Sequence, residues 1–253
     1  MQKKIDLVNG PVLSSLTRLA VPIMATSLIQ MAYNMTDMIW IGRIGSSAVA
    51  SVGAAGMYMW LSNGLAALAK MGGQVNVGHA LGASNSEEAA EYASNALQLT
   101  LTLGIIYGLV CILGAKPLIH FFHLNQAQVI RDAIYYLEIT CGLVLFSFLN
   151  QTYTGLFTAI GNSRPVFLAT TTGLVVNIIL DPVLIFGIGP FPELGVSGAA
   201  AATVTAQALV SLLFFKAVLR EKVLFPHLRL WVLVPVKVWR EIVRIGVPSA
   251  VQN

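Results

Sequence analysis

Six long apolar stretches constrain the fold of this chain more than any other feature. Each is close to the ~20 residues that an α-helix needs to cross about 30 Å of hydrocarbon. Lipid offers no hydrogen-bond partners to backbone N–H and C=O groups, so each stretch is predicted to be a helix that satisfies its own backbone. The predicted spans cover residues 16–41, 48–69, 92–114, 133–157, 165–187 and 196–219, and a seventh apolar segment begins near Ile245.

Composition points to the same class of protein. Apolar residues make up 56% of the chain and charged residues 10%, whereas a soluble domain is about 25% charged. The net charge of +4 comes from basic residues in the loops. It therefore does not predict a nucleic-acid-binding surface. Cys111 and Cys141 both lie within apolar stretches, so neither a disulfide framework nor a metal-ligand cluster is predicted. We therefore expect an all-α membrane protein.

Basic residues predict how the spans are oriented. Of the fifteen Lys and Arg residues, twelve fall on one side of the predicted spans, and Arg43, Lys116 and Arg131 fall on the other. Because basic loops stay in the cytoplasm, the N-terminus of this multi-pass protein is predicted to lie on the cytoplasmic side of the cytoplasmic membrane. Turns between the spans are predicted at glycine- and proline-containing positions 72–73, 82–85, 161–163 and 189–190.

A short motif occurs twice, each time at the start of an apolar segment. Residues 18–22 read Arg-Leu-Ala-Val-Pro, and residues 244–248 read Arg-Ile-Gly-Val-Pro. Six spans lie between the two copies, so the sequence predicts two parallel repeats related by an axis along the membrane normal. The expected organisation is a six-helix lobe over residues 1–219, a basic cytoplasmic linker over 220–244, and the start of a second lobe over 245–253.

Two aspartates stand apart from the other acidic residues. Asp37 and Asp181 lie well inside predicted spans, whereas the remaining acids lie in loops or near span ends. A charged aspartate at the centre of a bilayer costs about 2.5 to 3.5 kcal/mol on insertion scales, so such residues usually face a cavity or a partner. Both are therefore candidate functional residues.

Helical spacing predicts that each aspartate belongs to a polar stripe. Residues three, four or seven positions apart share one face of a helix, and polar side chains in hydrocarbon must face one another or water. The sequence therefore predicts a polar pocket inside the bundle, and the alternative is that the uncharged members only join helices by hydrogen bonds. The stripes comprise Thr26, Gln30, Asn34 and Asp37 in the first span, Thr170, Asn177 and Asp181 in the fifth, and Thr203 and Gln207 in the sixth.

Two prolines lie within the spans that carry the aspartates. Pro182 follows Asp181 directly and removes a backbone donor, so the fifth span is predicted to bend beside this carboxyl group. Pro22 predicts a second bend in the first span. The alternative for each is a static kink of the kind common in membrane helices.

Several segments together resemble the multidrug and toxic compound extrusion (MATE) family. They are residues 161–164 (Gly-Asn-Ser-Arg), 177–182 (Asn-Ile-Ile-Leu-Asp-Pro) and 195–203 (Gly-Val-Ser-Gly-Ala-Ala-Ala-Ala-Thr), with Pro22, Asp37 and residues 78–83 (Gly-His-Ala-Leu-Gly-Ala). The resemblance implies one half of a twelve-helix transporter that exports organic cations in exchange for H⁺ or Na⁺. It implies no enzymatic activity and no cofactor beyond the coupling ion.

The resemblance also implies site residues. Asp37, Asn177, Asp181 and Thr203 would form the cation site, with Na⁺ as a possible ligand of the first three. Two neighbouring buried acids should titrate as one coupled unit, and the drug would compete with the coupling ion for that site. The other expected partners are the lipid bilayer and a second lobe.

Three alternative functions differ from this one in the residues that they require. A lipid-linked oligosaccharide flippase of the same superfamily is disfavoured because no Lys or Arg is predicted deep in a span to hold a pyrophosphate. An intramembrane enzyme is disfavoured because the four histidines are scattered and no zinc or phosphate motif is present. A structural, non-transporting six-helix fragment remains open on the sequence alone.

Overall fold

The computed structural model describes residues 12–221, 224 and 236–252, and regular structure within these residues is entirely α-helical. The all-α prediction is confirmed, and each of the six predicted spans falls within helical segments. The helices are α1 (Val12–Ile44), α2 (Ser46–Gly82), α3 (Ser86–His120), α4 (Ala127–Gly142), α5 (Leu145–Ala159), α6 (Arg164–Phe186), α7 (Gly195–Arg220) and α8 (Val236–Gln252).

Length and apolar composition mark three helices as able to cross a membrane, namely α3, α6 and α7. The bent pair α4 and α5 adds a fourth span if it is counted as one. Helices α1 and α2 are 33 and 37 residues long, which exceeds the length required.

The predicted fourth span is two helices and not one. α4 ends at Gly142 and α5 begins at Leu145, and the two are bent by 42° relative to each other. Glycines of α3 pack against this break: a Cβ atom added to Gly108 would lie 2.7 Å from the Gly142 carbonyl oxygen. One added to Gly104 would lie 2.9 Å from Leu145 Cδ1. The break is therefore seated on a close helix contact of the kind that small residues permit.

The turn predicted at residues 72–73 is wrong, because α2 continues without interruption to Gly82. Both glycines are buried helix contacts. A Cβ atom on Gly73 would lie 2.6 Å from Ala96 Cβ of α3, and one on Gly72 would lie 2.6 Å from Ile242 Cγ2 of α8. The other three predicted turns fall between helices, as expected.

α8 begins at Val236, so the helix starts within the segment predicted as linker. Residues 222–223 and 225–235 of that linker lie outside the described residues. α8 packs on α2, where the backbone of Gly246 contacts that of Leu68. The Tyr92 hydroxyl of α3 donates a hydrogen bond to Glu241 Oε2 of α8 at 3.0 Å. Helix α8 is thus held against α2 and α3.

The two prolines predicted to bend helices lie within continuous helical segments. Pro182 is inside α6, which runs on to Phe186 and ends at Gly187 in a left-handed conformation with φ 68°. The backbone of Pro22 belongs to α1, while its side chain and those of Thr26 and Gln30 lie outside the described part of the structure. The bends remain predictions.

The apolar core lies in two halves along the bundle axis. One half gathers the beginning of α2, the end of α3, α4 and the junction of α6 with α7, with Ile41, Phe148 and Ile185 among its buried side chains. The other gathers the end of α2, the start of α3, the end of α5, the start of α6 and the end of α7 around Phe157 and Phe214. α1 packs mainly against α6, which brings the two aspartate-bearing helices together.

Candidate functional site

Helices α1, α6 and α7 bring four predicted site residues into one cluster. Asn177 and Asp181 are four residues apart on α6 and therefore share a face, and the Asn177 Nδ2 atom donates to Asp181 Oδ1 at 3.2 Å. The Thr203 hydroxyl of α7 donates to Asp37 Oδ2 of α1 at 3.3 Å. We call these four residues the carboxyl cluster.

The two carboxyl groups of the cluster lie close enough to interact. Asn177 and Asp181 are fully buried, and Thr203 is 7% exposed. Two neighbouring carboxylates repel each other, and a proton or a cation bound between them removes that repulsion. The cluster is therefore suited to bind one or the other.

Three oxygen atoms of the carboxyl cluster lack a hydrogen-bond donor among the described residues. They are Asp37 Oδ1, Asn177 Oδ1 and Asp181 Oδ2, and all three are buried. Buried acceptors are normally satisfied, so each such group calls for an explanation. Oxygen atoms gathered in this way are the ligands that hard cations prefer, and a carboxyl oxygen is equally a site for a proton. The set of oxygen atoms therefore fits either a hard cation or a proton.

Tyr136 of α4 is a neighbour of the carboxyl cluster that the sequence did not predict. It is 2% exposed and lies near enough to both Asp37 and Asp181 to be affected by their charge. Its position inside an apolar span could have identified it from the sequence, because a buried tyrosine hydroxyl usually needs a polar partner.

Three of the other polar residues predicted to join the pocket line a cavity in the structure. A cavity of about 790 Å³ is lined by Asn34, Thr170 and Gln207, and neither aspartate is among its described lining residues. The Thr170 hydroxyl donates to the Val166 carbonyl oxygen of its own helix at 2.8 Å. Gln207 Oε1 accepts from Asn150 Nδ2 at 2.7 Å. We call the space that these residues line the polar cavity, and its described wall does not include the aspartates of the carboxyl cluster.

Lys70 carries the only charge among the described residues that line the polar cavity. The turn predicted at residues 72–73 placed Lys70 at the end of a helix, whereas α2 continues to Gly82 and Lys70 lies within it. Groups of three or more His, Cys, Asp or Glu side chains arranged to hold a metal are not found in the part of the chain that the structure covers.

Comparison with protein-family models gives a match to MatE over residues 22–183. Among curated proteins, the chain is 31% identical over 246 residues to a probable multidrug resistance protein NorM of Thermotoga maritima, covering 94% of this chain and 51% of that protein. It is 26% identical over 261 residues to an FAD transporter of Shewanella oneidensis, covering 100% of this chain and 56% of that protein. The chain thus spans about half the length of these relatives.

Solved structures of transporters share the fold. A MOP superfamily transporter from Pyrococcus furiosus, described as having a binding pocket of reverse polarity, superimposes with a TM-score of 0.88 at 26% identity. The similarity covers 99% of this chain and 55% of that one. A multidrug resistance MATE family transporter in an outward-facing conformation gives the same TM-score of 0.88, identity of 26% and coverage of 99% and 55%.

Proposed function

The chain belongs to the MatE family, and on that basis we propose that it forms the N-terminal lobe of an ion-coupled antiporter. The antiporter exports organic solutes across the cytoplasmic membrane in exchange for H⁺ or Na⁺. The N-terminus lies in the cytoplasm, and a second six-helix lobe completes the transport path.

The observation that carries this proposal is the carboxyl cluster. Two acids from different helices, α1 and α6, meet in a buried position with three oxygen atoms that lack donors. Structural hydrogen bonding could be served by amides at lower cost, because a charged aspartate is expensive in a membrane. Retaining two carboxyl groups in contact supports a role in binding and releasing a cation.

Coupling follows from the position of the cluster between helices. Two unit charges about 4 Å apart repel each other by about 4 kcal/mol at an effective dielectric constant of 20. A difference of that size shifts a conformational equilibrium by roughly a thousandfold. Binding of H⁺ or Na⁺ removes the repulsion between α1 and α6, so occupancy of the cluster biases how these helices pack.

The exported solute is an organic compound held in the polar cavity. Organic cations are the class predicted from the family resemblance, and the relatives named above are a multidrug resistance protein and an FAD transporter. The aspartates are absent from the described wall of the cavity, so the solute and the coupling ion occupy separate places. This differs from the competition for one site that the sequence suggested. Binding of one is then linked to the other through movement of α1 and not through direct displacement.

The first prediction tests the carboxyl cluster. In the full polypeptide, Asp37→Asn and Asp181→Asn should each reduce ion-driven export to the background rate, because an amide cannot take up and release H⁺ or hold Na⁺ by charge. Export is measured in everted vesicles with an imposed Na⁺ gradient and, separately, an imposed pH gradient. The gradient that drives the wild-type protein identifies the coupling ion.

Asp132→Asn is the matched control for these substitutions. The Asp132 carboxylate is held by Gln128 Nε2 of the preceding helical turn at 3.0 Å, at the exposed start of α4, so its loss should leave export unchanged. Wild-type export by both cluster variants, at equal amounts of protein in the membrane, would show that the aspartates do not couple transport.

A further inference from the structure

Lys70 lies on the wall of the polar cavity, inside α2. Twelve residues of the helix follow it, so the cytoplasmic end of α2 lies about 18 Å beyond it at 1.5 Å per residue. Gly72 and Leu68, two residues to either side, face α8. Since α2 turns by 100° per residue, Lys70 points away from α8 and toward α5 and the cavity.

The ammonium group of Lys70 has no counter-ion in the described structure. The side chain is partly buried, and neither an ion pair nor a hydrogen bond joins it to another described residue. A lysine within a membrane protein usually pairs with an acid or marks a substrate path. An anionic group entering the cavity would supply the missing charge.

The position of Lys70 is fixed by close packing on α5. A Cβ atom added to Gly155 would lie 2.8 Å from the Lys70 carbonyl oxygen, 3.1 Å from Lys70 Cγ and 3.4 Å from Gln74 Cβ. Lys70 and Gln74 are one helical turn apart and share a face, and both line the cavity. The absence of a side chain at Gly155 therefore lets the two residues present a charged donor and an amide donor side by side.

The other residues that line the polar cavity suit an uncharged aromatic ring system that forms hydrogen bonds. Asn63 and Gln151 line the cavity and are joined through Gln151 Nε2 and Asn63 Oδ1 at 2.9 Å. Trp60 also lines it and is 61% exposed, which leaves an indole face free for stacking. Ten residues separate Trp60 from Lys70, or about 15 Å along α2. The cavity, at about 790 Å³, lies within the range of about 300 to 1,000 Å³ of small-molecule sites.

We propose that the polar cavity binds an aromatic organic anion, with its phosphate or carboxylate on Lys70 and Gln74 and its ring system against Trp60. This assignment rests on the proposed transport function and specifies its substrate class. It replaces the organic cation expected from the family resemblance, because the described cavity wall offers a cation and no carboxylate. The solute and the coupling ion then have opposite charges and separate sites.

The test is equilibrium binding of two flavins to the full polypeptide in lipid nanodiscs, followed by quenching of flavin fluorescence. Riboflavin and FMN share one ring system and differ by a single phosphate. FMN should bind at least tenfold more tightly than riboflavin, the size of one charge-assisted hydrogen bond. Lys70→Gln should remove this preference, and Lys70→Arg should retain it.

Two control variants distinguish loss of the Lys70 contact from a change in surface charge and from a general packing defect. Lys216→Gln removes an exposed lysine in the last turns of α7 and should leave the preference unchanged. Gln74→Leu should weaken FMN binding and leave riboflavin binding nearly unaltered, which a general packing defect would not do. Equal binding of FMN and riboflavin by the wild-type protein, or a wild-type preference in Lys70→Gln, would overturn the assignment.

Equilibrium binding requires no ion gradient, so it distinguishes this assignment from the proposed coupling. Selective FMN binding without gradient-driven export would contradict only the proposed coupling role of the aspartates and would leave the anion site standing. The anion site alone would be overturned by two results together. Gradient-driven export of an organic cation such as ethidium would be unchanged by Lys70→Gln, and the wild-type protein would bind FMN no more tightly than riboflavin.

Discussion

The hydroxyl group of Thr203 donates a hydrogen bond to Asp37 Oδ2 at 3.3 Å. Valine has nearly the same shape but no oxygen, so Thr203→Val removes a ligand from the carboxyl cluster without leaving a void. If Na⁺ is the coupling ion, the concentration that gives half-maximal export should rise by about tenfold, because hard cations are held by oxygen ligands. The measurement is export rate against Na⁺ concentration.

Thr203→Ser keeps the oxygen and should retain wild-type activation by Na⁺. If the protein is driven by H⁺ instead, Thr203→Val should keep most of its export rate, because a proton needs only a carboxyl oxygen. Equal impairment by serine and valine would show that the threonine methyl group, and not its oxygen, matters at this position.

For single residues, the sequence was sufficient where the chemistry is local. An acid inside an apolar span is costly wherever the helix packs, so Asp37 and Asp181 could be identified without a structure. Tyr136 was missed because its significance depends on α4 packing beside α1 and α6. Lys70 was missed for a similar reason, since its depth depends on how far α2 extends.

Helix α2 shows how an element can depend on distant partners. Paired glycines usually favour a turn, yet residues 72–73 remain helical because two other helices pack against them. The interruption between α4 and α5 likewise depends on another helix, since it packs against glycines of α3. Span lengths follow from the thickness of the bilayer and were predictable, whereas helix interruptions follow from tertiary contacts and were not.

Gly72→Ala should loosen the contact between α2 and α8. The added Cβ atom would lie 2.6 Å from Ile242 Cγ2 and 2.9 Å from the Ile242 carbonyl carbon, and backbone atoms cannot move aside without shifting α8. Overpacking of this kind costs about 1 to 3 kcal/mol. We expect a lower midpoint of thermal unfolding in detergent, measured by tryptophan fluorescence.

Gly78→Ala is the matched control in the same helix. No atom lies within 4 Å of the Cβ position at Gly78, and alanine favours helix over glycine by up to about 1 kcal/mol. Its unfolding midpoint should therefore equal or exceed that of the wild-type protein. If Gly72→Ala and Gly78→Ala unfold at the same temperature, α8 is not held by the contact described here.

For the whole molecule, the uneven distribution of basic residues has to agree with the arrangement of the helices. The loop from α2 to α3 and the segment after α7 lie at the same end of the bundle. The loop from α3 to α4 lies at the other end, close to Ser47 at the start of α2, whose hydroxyl donates to Gln126 Oε1 at 3.3 Å. Twelve of the fifteen basic residues belong to the first end by sequence, so this end is proposed to face the cytoplasm.

Cysteine labelling tests that orientation. Cys111 and Cys141 are free and buried, so a membrane-impermeant maleimide should leave the unmodified protein unlabelled. In intact cells, Asn125→Cys, in the exposed loop between α3 and α4, should react because it faces outward. Ala83→Cys, in the exposed turn between α2 and α3, should react only after the membrane is permeabilised. The opposite pattern would show that the molecule is inverted in the membrane.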